Sequence, residues 1–385
     1  MGLNFPNAPT VGQMWPSPAQ ASLPVYQWDG EKWTAGTIDA SRSSLYAAPF
    51  DALAYNGMQI NGSCEVSQEK STTASTGGYA LDIWSVWGTP AFTAQQVTDT
   101  PSGFANSLKV SITTGAPAPA ATDYMLIQHV IEGYRFERQA FGKSTAQPFS
   151  MGFYVKAHRP GNYSGVISNP GKNRTYPFSF AISAADAWEF KTVTIPGDVT
   201  GTWPGGTALG VIVCFTLMCG TALQGPANAW AGVNYAGVTG TVNGAAANTD
   251  TFQITGLIIL PGIELPSVDR LPYIMRPFDQ EWLACQRYLW MWQGYGLGYR
   301  AAVGYCDTST FCQVDLYLPT LMRITPTFTS NNVQVNGIAS TPNGINQSPN
   351  NIAHLVFTGT GYPAGTTAQI YTGSGGGFIK LDARM

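Results

Sequence analysis

Apolar and polar residues alternate with a period of two, repeatedly, between residues 108 and 254, and this leaves few folds open. Leu108, Val110 and Ile112 alternate, as do Phe149, Met151, Phe153 and Val155, then Phe178, Phe180 and Ile182. Val193 with Ile195, an unbroken apolar run at 209–218, and Phe252 with Ile254 continue the series. Turn-forming clusters at 115–119, 159–162, 169–171 and 196–198 separate these runs. Alternation of this kind gives each strand one core face and one outer face. Many such strands joined by turns predict two antiparallel sheets packed face to face, a jelly roll over residues 56–268. The composition agrees: 43 Gly, 26 Pro, 12% aromatic and only 11% charged residues describe a turn-rich, all-β chain. No repeat of fixed period occurs, which disfavours propellers and β-helices. The Gly-, Ala- and Asn-rich stretch 220–250 is long for a loop, and such lengths are functional or packed over an edge.

One helical period interrupts the pattern. Within residues 276–292, Phe278, Trp282, Cys285, Leu289 and Trp292 recur at spacings of four, three, four and three, forming one apolar stripe. Asp279, Gln280, Glu281, Gln286 and Arg287 fill the other side; Pro277 suits the start and Gly294 the end. Two readings stand: a buried helix in one domain, or a seam between two β-domains or against the same helix of a partner chain. Residues 269–294 are therefore assigned as a connecting helix. Residues 295–385 resume β character in Phe311, Val314, Leu316 and Leu318, then Val333 and Val335, Leu355 and Phe357, and the closing 378–381. This predicts a second, smaller, C-terminal β-sandwich.

Residues 1–40 have their own character. Pro6, Pro9, Pro16, Pro18 and Pro24 keep the start extended. Asp29 and Gly30 then signal a two-residue hairpin turn that sets Trp28 and Trp33 face to face. Such a hairpin is marginal alone and is expected to dock on something. Residues 41–55 read as a linker, with 47–50 a poor helix candidate. The net charge of −3, the pI of about 5.6 and the absence of any Lys/Arg run argue against nucleic acid. The longest apolar run is half of a membrane span, and the first residues lack a signal-peptide pattern, so no membrane insertion is expected. The six cysteines lack metal-site spacing; reduced thiols are the default, with Cys306 and Cys312 the one pair near enough to bridge.

Several stretches, in order, carry a resemblance. Ala8-Pro-Thr-Val-Gly12 followed by Trp28-Asp-Gly-Glu-Lys-Trp33 resembles the N-terminal segment of phage tail-fibre and minor structural proteins. Ile131-Glu-Gly-Tyr134, Ala140-Phe-Gly142, Asn173-Arg-Thr-Tyr-Pro-Phe178, Trp188-Glu-Phe-Lys191, Ile195-Pro-Gly-Asp198 and Thr200-Gly-Thr-Trp203 resemble phage appendage domains of the carbohydrate-binding-module-like jelly-roll type. Cys285-Gln-Arg-Tyr288 and Leu321-Met-Arg-Ile-Thr-Pro326 are similar to the helix and C-terminal domain that follow in such proteins. The resemblance implies a virion appendage (a small tail, collar or head fibre, or a decoration subunit), commonly trimeric and assembled in the host cytoplasm. Its N-terminus would anchor to other phage structural proteins through Trp15, Tyr26, Trp28 and Trp33, and its distal domain would face the host.

Catalytic and metal constellations are sparse. His129, His158 and His354 lie on three separate segments with no GxSxG or HExxH pattern. Glycoside hydrolysis needs two opposed carboxylates, and nothing singles out a pair, Glu132 and Glu137 included. Asp99, Asp123 and Asp250 offer only a weak structural calcium site. No catalytic residue, metal or cofactor is assigned. The 11 Trp and 18 Tyr are more informative, because an aromatic face covers the apolar side of a sugar ring. Trp203, Trp230, Tyr235 and Tyr362 sit in Gly-, Pro- or Ala-rich contexts and are the candidate glycan-binding residues; the alternative is that they cover a core or a subunit seam. Adsorption to host surface polysaccharide is the expected activity, with only a modest dependence on salt. The rivals are a purely structural head or tail decoration protein, a polysaccharide depolymerase, and a bacterial lectin.

Overall fold

The computed structural model describes residues 5–11, 13–15, 26–28, 30–35, 57–296, 298–340, 342–348 and 351–385. The chain divides into two units, residues 1–56 and 57–385; the expected linker at 41–55 and the helix candidate at 47–50 lie outside the described residues.

In the first unit, β1 (Met14–Trp15), β2 (Tyr26–Trp28) and β3 (Trp33–Ala35) form an antiparallel sheet in that order. Trp28 pairs directly with Trp33, their rings 5.7 Å apart, as the hairpin reading requires. The turn differs from expectation: that register leaves four residues, 29–32, between the strands, not a two-residue Asp-Gly turn. No local pattern marks β1, which is only two residues long. Phe5 fills the centre, stacked on Trp33 at 5.1 Å and close to Trp15 and Tyr26. A hairpin too short to hold alone thereby gains a third strand and a small aromatic core.

The second unit opens with the jelly roll. Its strands are β4 (Gly78–Leu81), β5 (Trp84–Gly88), β6 (Phe92–Val97), β7 (Ser107–Ile112), β8 (Tyr124–Glu132), β9 (Phe149–Ala157), β10 (Gly161–Ser168) and β11 (Thr175–Ile182). They continue with β12 (Glu189–Ile195), β13 (Leu209–Cys219), the short parallel pair β14 (Gln224–Gly225) and β15 (Gly237–Val238), and β16 (Thr251–Pro261). One sheet runs β11-β10-β13-β8-β5-β4 and the other β12-β9-β16-β7-β6, with every pairing antiparallel. The alternating residues read from sequence make the interior: Phe153, from the second sheet, lies 4.9 Å from Phe215 and 5.3 Å from Phe180 of the first. Leu108, Val110, Met151, Phe178 and Ile254 are likewise fully buried.

The remaining strands are β17 (Leu289–Gly294), β18 (Arg300–Thr308), β19 (Phe311–Tyr317), β20 (Thr327–Asn331), β21 (Val333–Val335) and β22 (Ile338–Ala339). They end with β23 (Pro342–Ser348), β24 (Ile352–Thr358), β25 (Thr366–Thr372) and β26 (Gly377–Asp382). A three-stranded sheet, β17-β26-β20, and a seven-stranded one, β22-β21-β25-β18-β19-β24-β23, enclose the C-terminal core around Val314, Leu355, Phe357, Ile370 and Leu381. Cys306 and Cys312 face each other across β18 and β19 and are joined by a disulfide, so the default of six reduced thiols fails for this pair. The other four cysteines are free and buried.

The helical reading of 276–292 needs correction. The helix is Phe278–Gln286, and Leu289 and Trp292 belong to β17, where Leu289 pairs with Asp382 and Trp292 with Ile379. The buried face of the helix is also not the expected stripe. Glu281 and Cys285 are buried, Trp282 is half-buried and Phe278 is 54% exposed. Cys285 and Tyr288 pack on Val130, Val166, Ile212 and Cys214, which point outward from the six-stranded sheet. The helix thus closes on its own chain.

Buried charge joins the two sandwiches. Arg287 donates to both oxygens of Glu132, at 2.9 and 2.6 Å, and Tyr288 Oη donates to the same carboxylate at 2.6 Å. Glu69, ahead of the jelly roll, accepts from Lys380 at 3.0 Å and Arg384 at 2.6 Å. Arg276 bonds Glu281 and the Gly57 and Gln59 carbonyls, while Glu281 accepts from the Asn61 N–H. Few charges exist in this chain, and many of them are used here.

Candidate functional site

The helix covers only part of the outer face of the six-stranded sheet. Beside it lies an open cleft of about 400 Å³. Alternation builds the floor. In β5, Trp84 and Val86 point into the core, so Ser85 and Trp87 point out. The register then places Leu126 opposite Trp87, Gln128 opposite Ser85, Cys214 opposite Gln128 and Val166 opposite Cys214.

Trp87 is 45% exposed, yet its indole N–H donates to Ser85 Oγ at 3.1 Å, which holds the ring at the surface. Tyr124 and Tyr235 are half-buried rings in the same lining. Gln128 Nε2 sits 3.7 Å from Cys214 Sγ. Burial raises the Cys214 thiol to about 11, so it stays protonated at neutral pH and is no nucleophile. The long stretch 220–250 forms one wall through Leu223, Asn234, Tyr235 and Ala236. Two bonds tie it to the sheet, Thr216 Oγ1 donating to the Ala236 carbonyl and Thr175 Oγ1 to Val233 O at 2.6 Å, and within the stretch the Ala236 N–H donates to Leu223 O at 2.7 Å. Gly225 matters directly, because a Cβ there would fall 2.4 Å from the Tyr235 ring. The absent side chain lets that ring lie flat against β14.

Chemically the cleft offers aromatic faces, amides, hydroxyls and one ammonium, that of Lys172. Among the described residues no carboxylate or imidazole lines it. Glycoside hydrolysis needs two opposed carboxylates, and the described lining supplies none.

Of the four aromatic residues proposed from sequence, Tyr235 lines this cleft and the others do not. Trp203 and Trp230 lie 5.5 Å apart in an aromatic cluster with Phe141, half-buried against the jelly-roll core. Their N–H groups are engaged by the Thr200 and Pro196 carbonyls at 3.1 and 3.0 Å. Tyr362 is 3% exposed in the C-terminal core, its hydroxyl 3.0 Å from Ser340 Oγ, and so has no face to offer a ligand. A Gly- or Pro-rich context marks a loop backbone, not the direction of a side chain. Sequence reasoning passed over Trp87, Tyr124, Gln128 and Lys172, although the parity of Trp84 and Trp87 carried the signal.

The other candidates are occupied. Glu132 is held by Arg287 and Tyr288, and Glu137 accepts from the Gly206 N–H at 3.1 Å. Asp250 pairs with Arg159, Asp99 with Lys156, and Asp123 accepts from the Ala120 N–H. Among the described residues no three His, Cys, Asp or Glu side chains gather as a metal site. His158 and His354 pair with Asp186 and Asp315 near the surface, whereas His129 is buried with Nε2 2.8 Å from the Ile60 carbonyl.

No protein-family model and no curated protein sequence matches the chain. Among solved structures it is similar to the enzymatically active domain of tailspike protein 4 of bacteriophage CBA120, at 12% identity over 49% of this chain and 21% of that one, TM-score 0.28. It is similar also to the module TmCBM61 bound to beta-1,4-galactotriose, at 13% identity over 48% of this chain and 94% of that one, TM-score 0.26. A family 11 carbohydrate-binding module from Clostridium thermocellum matches at 12% identity over 49% of this chain and 94% of that one, TM-score 0.25. At such scores these likenesses carry no functional argument.

Proposed function

We propose that this chain is a non-enzymatic, glycan-binding subunit of a phage virion appendage (a small tail, collar or head fibre, or a decoration subunit) that adsorbs to host surface polysaccharide through the cleft on its jelly roll. The observation that carries this reading is the cleft itself. It sets an exposed indole and two half-buried phenol rings among neutral hydrogen-bonding groups in about 400 Å³. Rings cover the apolar faces of sugars, and amides and hydroxyls bond their hydroxyl groups. The volume is within the roughly 300–1,000 Å³ of ordinary small-ligand sites. The missing carboxylates favour binding over depolymerisation.

The virion role draws support from the ordered sequence resemblance. In this reading the subunit is a homotrimer assembled in the host cytoplasm, residues 1–40 attach it to other phage structural proteins, and 295–385 form the distal domain. One observation favours a second reading, a decoration protein without a receptor: Tyr273, Tyr295 and Tyr317 are 85%, 82% and 78% exposed, rings of the kind that neighbouring subunits cover. A chain lacking residues 1–40 separates the two. The first reading expects loss of incorporation into particles with retained binding to host cells; absence of cell binding by both the truncated and the full chain supports the second.

A further inference from the structure

We infer that the cleft selects a glycan carrying a negative charge, with Lys172 the residue that pairs with the anion. The inference rests on the reading of the cleft as a glycan site and names the class of sugar.

Three observations converge. Among the described residues Lys172 is the sole charged one in the cleft lining, and no acidic side chain shares the site to neutralise it. Among the described residues its ammonium makes no ion pair and donates no hydrogen bond, unlike Lys156, Lys191 and Lys380, which each hold a carboxylate. It is near enough to the floor for its field to act on the Cys214 thiol.

Its backbone is placed at some cost. Lys172 lies in the β10–β11 hairpin loop at φ +52°, a left-handed conformation that suits Gly or Asn far better than Lys. The loop has little freedom to relax this. Asn169, 2% exposed, accepts from the Asn173 and Arg174 N–H groups at 3.1 Å each and donates to Asn173 Oδ1 and Thr202 O. The Lys172 N–H bonds Asn169 O at 3.0 Å, and Arg174 grips Asp198 through two bonds of 2.7 Å. A loop tied down in this way therefore holds an unpaired cation in the same lining as the aromatic rings, in a backbone conformation that lysine does not favour. A sugar carboxylate or sulfate presented to the rings would find its counter-charge there.

The test uses the full chain on an array carrying oligogalacturonate, alginate, sialylated and sulfated galactan fragments. Methyl-esterified galacturonan and cello-oligosaccharides serve as uncharged partners. Lys172→Asn fits the left-handed position and Lys172→Arg keeps the charge; both are melted alongside the parent. The expected result is preference for charged over uncharged sugars, a tenfold or greater loss of that preference in Lys172→Asn with an unchanged or higher Tm, and retention in Lys172→Arg. Preference for sulfated over carboxylated fragments, or the reverse, identifies which anion is read. Equal binding of charged and uncharged sugars, or equal losses for both in Lys172→Asn, overturns the inference while leaving the glycan cleft intact. Binding to no sugar at all overturns both.

Discussion

His129 is fully buried, with Trp84 edge-on at 4.7 Å and the Ile60 carbonyl accepting its Nε2–H; among the described residues none hydrogen-bonds Nδ1. Burial lowers its pKa from 6.5 to about 4, because the charged ring would lose its water. Below pH 6.5 the unfolded chain takes up this proton and the folded chain does not, so stability falls as pH drops through 6.5 towards 4. The full effect is about 3 kcal/mol. Asp82 works in the opposite sense: burial raises it to about 6, so the folded chain gains a proton first and is relatively stabilised on acidification. By NMR, the His129 ring should keep its neutral chemical shifts at pH 5; titration near its ordinary value would contradict this placement. That His129 is structural was legible in its lack of partner motifs. That it is wholly dry was not, because the Ile60 carbonyl arrives from 69 residues away.

At the scale of elements, strand alternation was the most legible property of the chain, because each apolar residue on the inner face reports directly on burial. Helical period was less faithful. A helix does form over 278–286, with a buried face other than the stripe, but residues 289–292 are Leu, Trp, Met and Trp, which suit a strand equally well, and pairing with β26 decides the matter. The polar face misled too: Glu281 is buried because Arg276 and the Asn61 N–H satisfy it, contacts made by residues outside the helix. The wall formed by 220–250 was flagged by length alone; its contact with the sheet depends on Thr175 and Thr216, which no local pattern marks. Gly225 tests the wall. In Gly225→Ala the new Cβ displaces the Tyr235 ring, an overpacking worth roughly 1–3 kcal/mol. A lower Tm and a several-fold weaker glycan affinity by calorimetry are the expected results, with Tyr235→Ala matching the affinity loss. Unchanged affinity would show that the ring does not contribute.

At the scale of the whole molecule, the two sandwiches read from sequence are both present within the unit 57–385. Ion pairs that span from Glu69 to Arg384 and from Glu132 to Arg287 lock the C-terminal sandwich to the jelly roll. Sequence distance hides such pairs, and so it hid the cleft, whose floor, wall and rim come from five separate stretches between residues 87 and 236. In the function proposed above, this cleft binds glycan and leaves it whole. The most direct measurement mixes the purified full chain with surface polysaccharides from a panel of bacteria and records binding and polymer length together, for the parent and for Trp87→Ala. The expected result is binding with unchanged polymer length, weakened at least tenfold in Trp87→Ala at unchanged Tm. Shortened polymer, or equal binding by parent and variant, would contradict it.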